Sequence, residues 1–204
     1  MKYSADNKKF WDKVSGKYDF VRKTDKSAYD NFIGQIKNEL NEDKTVLELA
    51  TGTGFISLEI APFCKNVTAT DFSEEMIRIA DKKPKKTKNL SFSIQDATNL
   101  PYEDNSFDVV IIANALHIMP NPEKALLNIR RVLKNDGILI APNFIKRGNF
   151  IDVIVETPMK IFGFKTYSKW TYNEYLQFLR DNGWNIIRHE LLKAKMPIAY
   201  TVSK

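Results

Sequence analysis

The sequence predicts an α/β fold: a doubly wound, mostly parallel sheet of about seven strands that ends in an antiparallel C-terminal hairpin. Three observations predict it. Short apolar runs alternate with amphipathic stretches and short polar connections. The first apolar run, Val46-Leu47-Glu48-Leu49, passes through Ala50-Thr51 into the glycine turn Gly52-Thr53-Gly54, and an amphipathic stretch begins at Phe55. Two closing runs, about 184–192 and 197–203, flank Lys195-Met196-Pro197 at hairpin spacing.

The elements follow in order. Over 27–40, Tyr29, Phe32, Ile33, Ile36 and Leu40 share one helical face. A strand at 45–50 leads through the glycine turn to a helix at about 54–62, ending near Pro62. The strand at 66–70 leads to Asp71, and Ser73 is the expected N-cap of a helix carrying Met76, Ile77 and Ile79. Leu90 to Ile94 alternates apolar and polar residues and reaches Gln95-Asp96-Ala97. Phe107 to Ala113 is almost continuously apolar, as a central strand covered on both faces requires. Pro122 suits a first helical turn, with Ala125, Leu126, Ile129, Val132 and Leu133 at helical spacing behind it. Asn135-Asp136-Gly137 then turns the chain into the strand Ile138-Leu139-Ile140-Ala141, and strand–helix–strand repeats of this kind give right-handed crossovers and a parallel sheet. Beyond Pro142 the pattern becomes irregular and rich in aromatics (Phe144, Phe150, Phe162, Phe164, Tyr167, Trp170) until a helix from Tyr172 to about Asp181 stops at Asn182-Gly183.

Composition narrows the function classes. The 204 residues suit one domain with a proper core, and there are neither repeats nor a linker to divide it. Residues 1–9 contain no apolar stretch resembling a signal peptide, and no run is long enough for a transmembrane helix, so a cytoplasmic protein is expected. Cys64 is the single cysteine and His117 and His189 the two histidines, which excludes disulfides within the chain and disfavours a Cys/His metal cage. Cys64 itself reads as an inert core residue. The formal charge of +6 raises a nucleic-acid reading, but the excess lies in Lys82, Lys83, Lys85, Lys86 and Lys88 at the end of a helix. There cations complement the helix dipole and stay in water, and no interleaved aromatics form a stacking platform.

The glycine turn points to a nucleoside. Asp71 follows Gly52 by 19 residues at the tip of the next strand, where a carboxylate accepts hydrogen bonds from both ribose hydroxyls. A dinucleotide fingerprint needs G-x-G-x-x-G, and its third glycine position here is Ser57. Glu48, on the strand end facing the ligand region, would repel a pyrophosphate and favour a cation. S-adenosylmethionine carries an ammonium and a sulfonium and no phosphate, so the electrostatics favour it over a dinucleotide.

Five blocks now resemble the class I S-adenosylmethionine-dependent methyltransferases, whose fold is Rossmann-like. They are the segments 46–54, Ala69-Thr70-Asp71-Phe72-Ser73-Glu74-Glu75-Met76, 95–102, Phe107-Asp108-Val109-Val110 continuing to Asn114-Ala115-Leu116-His117, and 132–139. The opening 11–19, with Trp11 and Tyr18, is similar to the entry segment of the small-molecule branch that includes quinone-biosynthesis enzymes. The likeness is close over 10–142 and holds in outline over 143–204.

The resemblance implies a single domain over 1–204, with N-terminal lid helices in 1–40 and a substrate-covering insertion at 143–175. It implies that Gly52 and Gly54 let the backbone approach the methionine part of the cofactor, with Ala50 standing where the family usually has glycine. Glu48 would lie near the ammonium, Asp71 would hold the ribose, and Phe72 and Met76 would flank the adenine. Asp96 and the Ala97 amide would read the adenine edge. Asn114, Ala115 and His117 would face the reacting methyl group, with Tyr18 and Trp11 folded over the cofactor. Blander roles exist for each: a plain turn for Asp96, core filling for Met76, N-terminal packing for Trp11 and Tyr18, pocket lining for His117. As a catalytic group His117 would be a general base, its ordinary pKa being about 6.5.

The activity so implied is methyl transfer from S-adenosyl-L-methionine to a small-molecule acceptor, leaving S-adenosyl-L-homocysteine. An RNA or protein methyltransferase using the basic surface is the competing class. Against it, the chain reads Asn114-Ala115-Leu116-His117 where adenine-amino methylases show an Asp/Asn-Pro-Pro-Tyr-like block, and Cys64 is misplaced for cytosine chemistry. A non-catalytic S-adenosylmethionine-binding protein is the third class, and Ala50 is its one support.

Overall fold

A computed structural model describes residues 8, 10–13, 15–16, 26–147 and 165–204. Helices α1 (Lys26–Lys37), α2 (Phe55–Ile60), α3 (Glu74–Lys82), α4 (Pro122–Val132) and α5 (Tyr172–Asp181) accompany eight strands. These are β1 (Thr45–Leu49), β2 (Asn66–Asp71), β3 (Leu90–Ile94), β4 (Phe107–Ile112), β5 (Leu133–Ile140), β6 (Asn143–Phe144), β7 (Ile186–Leu192) and β8 (Ile198–Ser203).

The sheet order is β3-β2-β1-β4-β5-β8-β6, with β7 on the other side of β8. Strands β1 to β5 pair in parallel, while β8 runs antiparallel to β5, β6 and β7. Strand β8 pairs β5 through Ile140↔Val202 and β6 through Asn143↔Ala199, so β6 continues the line of β5 past Pro142. Read that way, the sheet has seven positions, closed by the expected hairpin of β7 and β8.

Each element forms for a visible reason. Strands β1 and β4 are buried on nearly every residue because helices cover both faces. One face packs Leu47, Leu49, Val110, Ile112 and Leu139 against α4 and α5. The other packs Val46, Val67, Val109, Ile111 and Tyr200 against α1 and α2. Ser73 caps α3 by accepting the Met76 amide, and Thr171 with Glu174 forms a capping box at the start of α5. Gly183, at φ 78°, ends α5 as the sequence predicts.

One expectation changes. Asn135-Asp136-Gly137 does not precede the fifth strand but lies inside β5. The register slips from Phe107↔Leu133 to Val109↔Ile138, so the turn survives as a bulge within a longer strand.

The order reverses between β1 and β4, the two strands that leave the middle of the sheet in opposite directions. Beyond their carboxyl ends such a sheet has its natural crevice.

Candidate active site

The turn after β1 is built from three left-handed residues: Ala50 at φ 54°, Gly52 at 56° and Gly54 at 76°. The Gly52 amide donates to Asp71 Oδ2 at 2.8 Å, and the Ser73 amide to Oδ1 at 2.8 Å. Thr51 donates its amide to the Thr70 carbonyl, and Gln95 donates to that of Asp71. The ends of β1, β2 and β3 are thus knitted together around the Asp71 carboxylate. At Gly54 the close approach is made by the chain itself. An added Cβ would lie 2.7 Å from the Phe92 ring and 3.1 Å from Ala80.

Glu48 is 1% exposed and accepts a short hydrogen bond from Ser57 Oγ, which in turn lies 3.2 Å from Thr51 Oγ1. Ser57 therefore has its own task at the third glycine position: it ties the first turn of α2 to the end of β1. Burial pushes the Glu48 carboxyl up to about 7, against the opposing bonds from Ser57 and Thr51. Burial likewise raises Asp71 to about 6, although backbone amides favour its charge, and Asp12 adds repulsion.

Asp108, at the opposite edge of the sheet, behaves differently. It is also desolvated, yet Thr45 and Lys134 at 2.6–3.0 Å hold it down to about 2. Among the described residues, Glu48 and Asp71 at the carboxyl edge have hydrogen-bond donors but no such ion pair.

The N-terminal residues reach this edge. Asp12 accepts a short bond from Ser73 Oγ, and Lys8 pairs with Glu74 at 2.9 Å. Trp11 is half-buried and packs edge-on against Phe10. Tyr18 lies outside the described residues. Phe72 is 38% exposed beneath the Lys8 ammonium, whereas Met76 is buried in the helix that follows. Asp96 accepts from the Thr98 amide and hydroxyl at 2.8 Å, an Asx turn that presents a buried Ala97 beside it.

On the other side of the crevice, Asn114 follows β4 with φ 53°, and its amide donates to the Pro142 carbonyl at 2.7 Å. Its buried Oδ1 has no hydrogen-bond donor among the described residues. An acceptor oxygen left in this way beside the β1 turn fits a ligand that brings its own N–H groups, as an α-ammonium does. His117 sits on a short 3-10 turn, Leu116–Ile118, and is 8% exposed. Its Nδ1 lies 3.0 Å from Asn143 Oδ1, and its carbonyl accepts the amides of Tyr167 and Ser168.

Sequence reasoning missed Ser57, Asp12 and Asn143. Only Ser57 left a local signal, as a polar residue on the inward face of an apolar helix. The others meet their partners across 61 and 26 residues.

The lysine run is largely occupied within the chain. Lys83 donates to the Thr53 carbonyl, Lys85 pairs with Asp81, and Lys86 pairs with Glu59. Cys64 is buried, and desolvation pushes its thiol up to about 11, as for an inert core residue. No described helix is long and apolar enough to cross a membrane.

Fold and turn together define an α/β protein of the nucleoside-binding type. Residues 47–141 match the family model described as a methyltransferase domain. Over 126 residues the chain is 40% identical to a Rickettsia bellii protein named ubiquinone/menaquinone biosynthesis C-methyltransferase, covering 57% of this chain and 50% of that one. The chain spans about half the length of the curated relatives it matches. A solved Bacillus halodurans C-125 protein, assigned as a methyltransferase, superposes with a TM-score of 0.67 at 26% identity, covering 79% of this chain and 71% of that one. The fold of DhpI, solved with S-adenosylhomocysteine, superposes at 0.77 and 20% identity over 99% of this chain and 96% of that one. The chain is thus similar to S-adenosylmethionine-dependent methyltransferases of class I, the quinone-biosynthesis type among them.

Proposed function

We propose that this protein transfers a methyl group from S-adenosyl-L-methionine to a small-molecule acceptor. The observation that carries the reading is the buried Glu48 carboxyl and the part-buried Asp71 carboxyl around a left-handed turn, with the Asn114 Oδ1, which has no donor among the described residues, across the crevice. This set suits a nucleoside with positive charge and no phosphate.

When bound, S-adenosylmethionine supplies a methyl group on a sulfonium, whose departure leaves a neutral thioether. Asp71 would orient the ribose through the lone pairs that Gly52 and Ser73 leave open. Asn114 Oδ1 and the Ala50–Gly52 backbone would hold the amino-acid end, with Glu48 stiffening the turn from below through Ser57. Asp96 and the Ala97 amide would read the adenine edge, between Phe72 and Met76. Tyr18 and Trp11 would cover the cofactor from the N-terminal side. Alignment of acceptor and methyl carbon is then the main contribution, and good orientation is worth about 7–11 kcal/mol. Charge is dispersed along the reaction, so excluding water from the crevice helps it. His117 would take a proton from the acceptor where one must leave early.

The name of the Rickettsia bellii relative makes a quinol-like aromatic ring the first acceptor class to test. Residues 143–175 would cover that acceptor, with Phe144, Tyr167 and Trp170 among the described members. The RNA or protein reading draws on the +6 charge. The ties of Lys83, Lys85 and Lys86 within the chain count against it.

Calorimetry with S-adenosylmethionine and S-adenosylhomocysteine tests the proposal first, and turnover on a panel of quinols and phenols tests it second. Micromolar uptake with methylated product is expected. An absence of uptake by folded protein overturns the reading. Uptake without turnover on any acceptor favours a binding protein, and RNA retained in a steeply salt-dependent way favours the nucleic-acid class.

A further inference from the structure

Strand β7 is the outermost strand on its side of the sheet. It pairs with β8, and among the described residues no strand pairs with its other edge. A bare edge offers backbone donors and acceptors to any strand that approaches. Along this one Ile187 is 51% exposed and Leu191 48% exposed. Charged side chains are the common protection of such an edge, but β7 carries one of each sign, Arg188 and Glu190, on either side of His189.

The strand Ile186-Ile187-Arg188-His189-Glu190-Leu191-Leu192 therefore has the same kind of residue at matching distances from its centre. Laid antiparallel against a second copy, with a two-fold axis at His189, Ile187 meets the partner's Leu191 and Arg188 meets the partner's Glu190. Residues directly opposite one another in antiparallel strands share a face and interact. Moving the axis by one residue would set Glu190 on the partner's Glu190, or Arg188 on the partner's Arg188. Placing it between residues would set Ile187 on the partner's Glu190, or Arg188 on the partner's Leu191. The register centred on His189 is the one that satisfies both charge and hydropathy.

The side chains are already sorted for that register. Arg188 pairs with Glu39 at 2.6 Å, and Glu190 accepts from Gln35 Nε2 at 2.8 Å, so both charges lie on the α1 side of the sheet. His189 Nδ1 lies 2.7 Å from the Tyr172 hydroxyl of α5, on the opposite side. A guanidinium has five N–H donors and a carboxylate about four lone-pair sites, so each keeps bonding capacity for a partner across the axis. The pairing of β7 with β8 is regular from Arg188 to Leu192 and slips between Ile186 and Arg188, which leaves the axis in the regular part.

We infer that β7 docks edge to edge with β7 of a second copy of this chain, with Arg188 and the partner's Glu190 paired on both sides of the axis. The two sheets become one through the contact, which is isologous and closes at two chains. A contact one strand wide gives a reversible, concentration-dependent dimer. The cofactor turn, on β1 and β2, lies toward the other end of the sheet and stays clear of it. The inference does not depend on the methyl-transfer reading.

Sedimentation equilibrium of the full chain, from micromolar to near-millimolar concentration, tests it. The wild-type mass should rise toward that of two chains. Arg188→Glu sets glutamate against glutamate in the homodimer, and Glu190→Arg sets arginine against arginine, so each variant alone should stay monomeric while its circular dichroism remains that of the wild type. Mixed in equal amounts, the two should dimerise again, because each supplies the charge that the other lacks. A wild type that stays monomeric, a folded single variant that dimerises like the wild type, or a mixture that does not recover the dimer overturns the inference. Should either charge variant fail to fold, Leu191→Lys takes its place. It should weaken the dimer by at least about tenfold, and an undiminished dimer overturns the inference.

Discussion

The two halves of the carboxyl edge are built by different means. Over β1, β2 and β3 the edge is made of donors converging on carboxyls, with the Gly52 and Ser73 amides on Asp71 and the Ser57 hydroxyl on buried Glu48. Over β4, β5 and β6 it is made of neutral amides and rings, with Asn143 on His117 and Phe144 beside it. In the proposed reading the first half would recognise the charge and sugar of one cofactor. In the same reading the second half would fit the acceptor, with shape taking the place of charge.

The sharpest way to break this contrast is at Gly54. An alanine there would meet Phe92 at 2.7 Å and keep a left-handed φ of 76°. Overpacking and backbone strain together should cost about 2 kcal/mol of stability. A denaturant midpoint unchanged in Gly54→Ala would show that Phe92 yields freely and that the turn is not held by internal packing.

Asp71→Ala comes next. If Asp71 holds the ribose as proposed, its loss should weaken cofactor binding by at least about tenfold, or about 1.4 kcal/mol. The same change leaves the Gly52 and Ser73 amides without their acceptor, so stability should fall as well. Calorimetry showing full affinity would remove Asp71 from the site.

The raised acids give a pH test with two opposite signs. Glu48 goes from 4.5 to about 7 and Asp71 from 3.8 to about 6, so between about pH 4 and 7 the folded chain holds protons that the unfolded chain has lost. The contribution of these groups to unliganded stability is full below pH 4 and is lost as pH rises through 6 and 7. A cationic ligand needs them ionised, so its affinity should rise over the same interval. Melting curves with and without S-adenosylmethionine at pH 5.5 and 8 should diverge more at the higher pH. A ligand-induced shift that is the same at both would mean that the carboxyls do not sense the ligand's charge.

How much of this was legible follows from sequence distance. The β1 turn, the Ser73 cap and the closing hairpin were legible because each is set by residues within a few positions of one another, and the place of Asp71 at the tip of β2 followed from the strand pattern although its bond to Gly52 spans 19 residues. The Asn143–His117 pair was not, because it forms only when β6 is laid against the turn after β4. The bulge in β5 was hidden for a related reason: Asn135-Asp136-Gly137 is ordinary turn chemistry, and only the pairing of Leu133 with Phe107 puts it inside a strand. Gly54 was legible as a glycine but not for its reason, since Phe92 lies far along the chain.

On the acceptor side, Tyr175→Phe probes whether the ends of β5 and β6 are held as firmly as the cofactor turn. The Tyr175 hydroxyl donates to the Ala141 carbonyl at 2.8 Å, and Thr201 Oγ1 donates to the same oxygen at 3.0 Å. Because Thr201 remains, the carbonyl is not orphaned, and the loss should be about 1 kcal/mol with cofactor affinity unchanged. A variant that lost cofactor binding would show the two halves to be coupled rather than separate.

The smallest effect should be a gain. Ala50 sits at φ 54°, where an L-residue carries a cost of about 1–2 kcal/mol that glycine does not. Glycine in turn has more freedom to lose on folding, about 0.5–1 kcal/mol. Ala50→Gly should therefore stabilise the chain by about 0.5 kcal/mol, read as a small rise in the denaturant midpoint. Removing the methyl also opens the backbone at the place where the amino-acid end of the cofactor is proposed to lie, so affinity should hold or improve. A destabilised Ala50→Gly would mean that the methyl's packing against the α4 and α5 side of the core outweighs its strain. The alanine would then belong to the hydrophobic half of the molecule rather than to the cofactor turn.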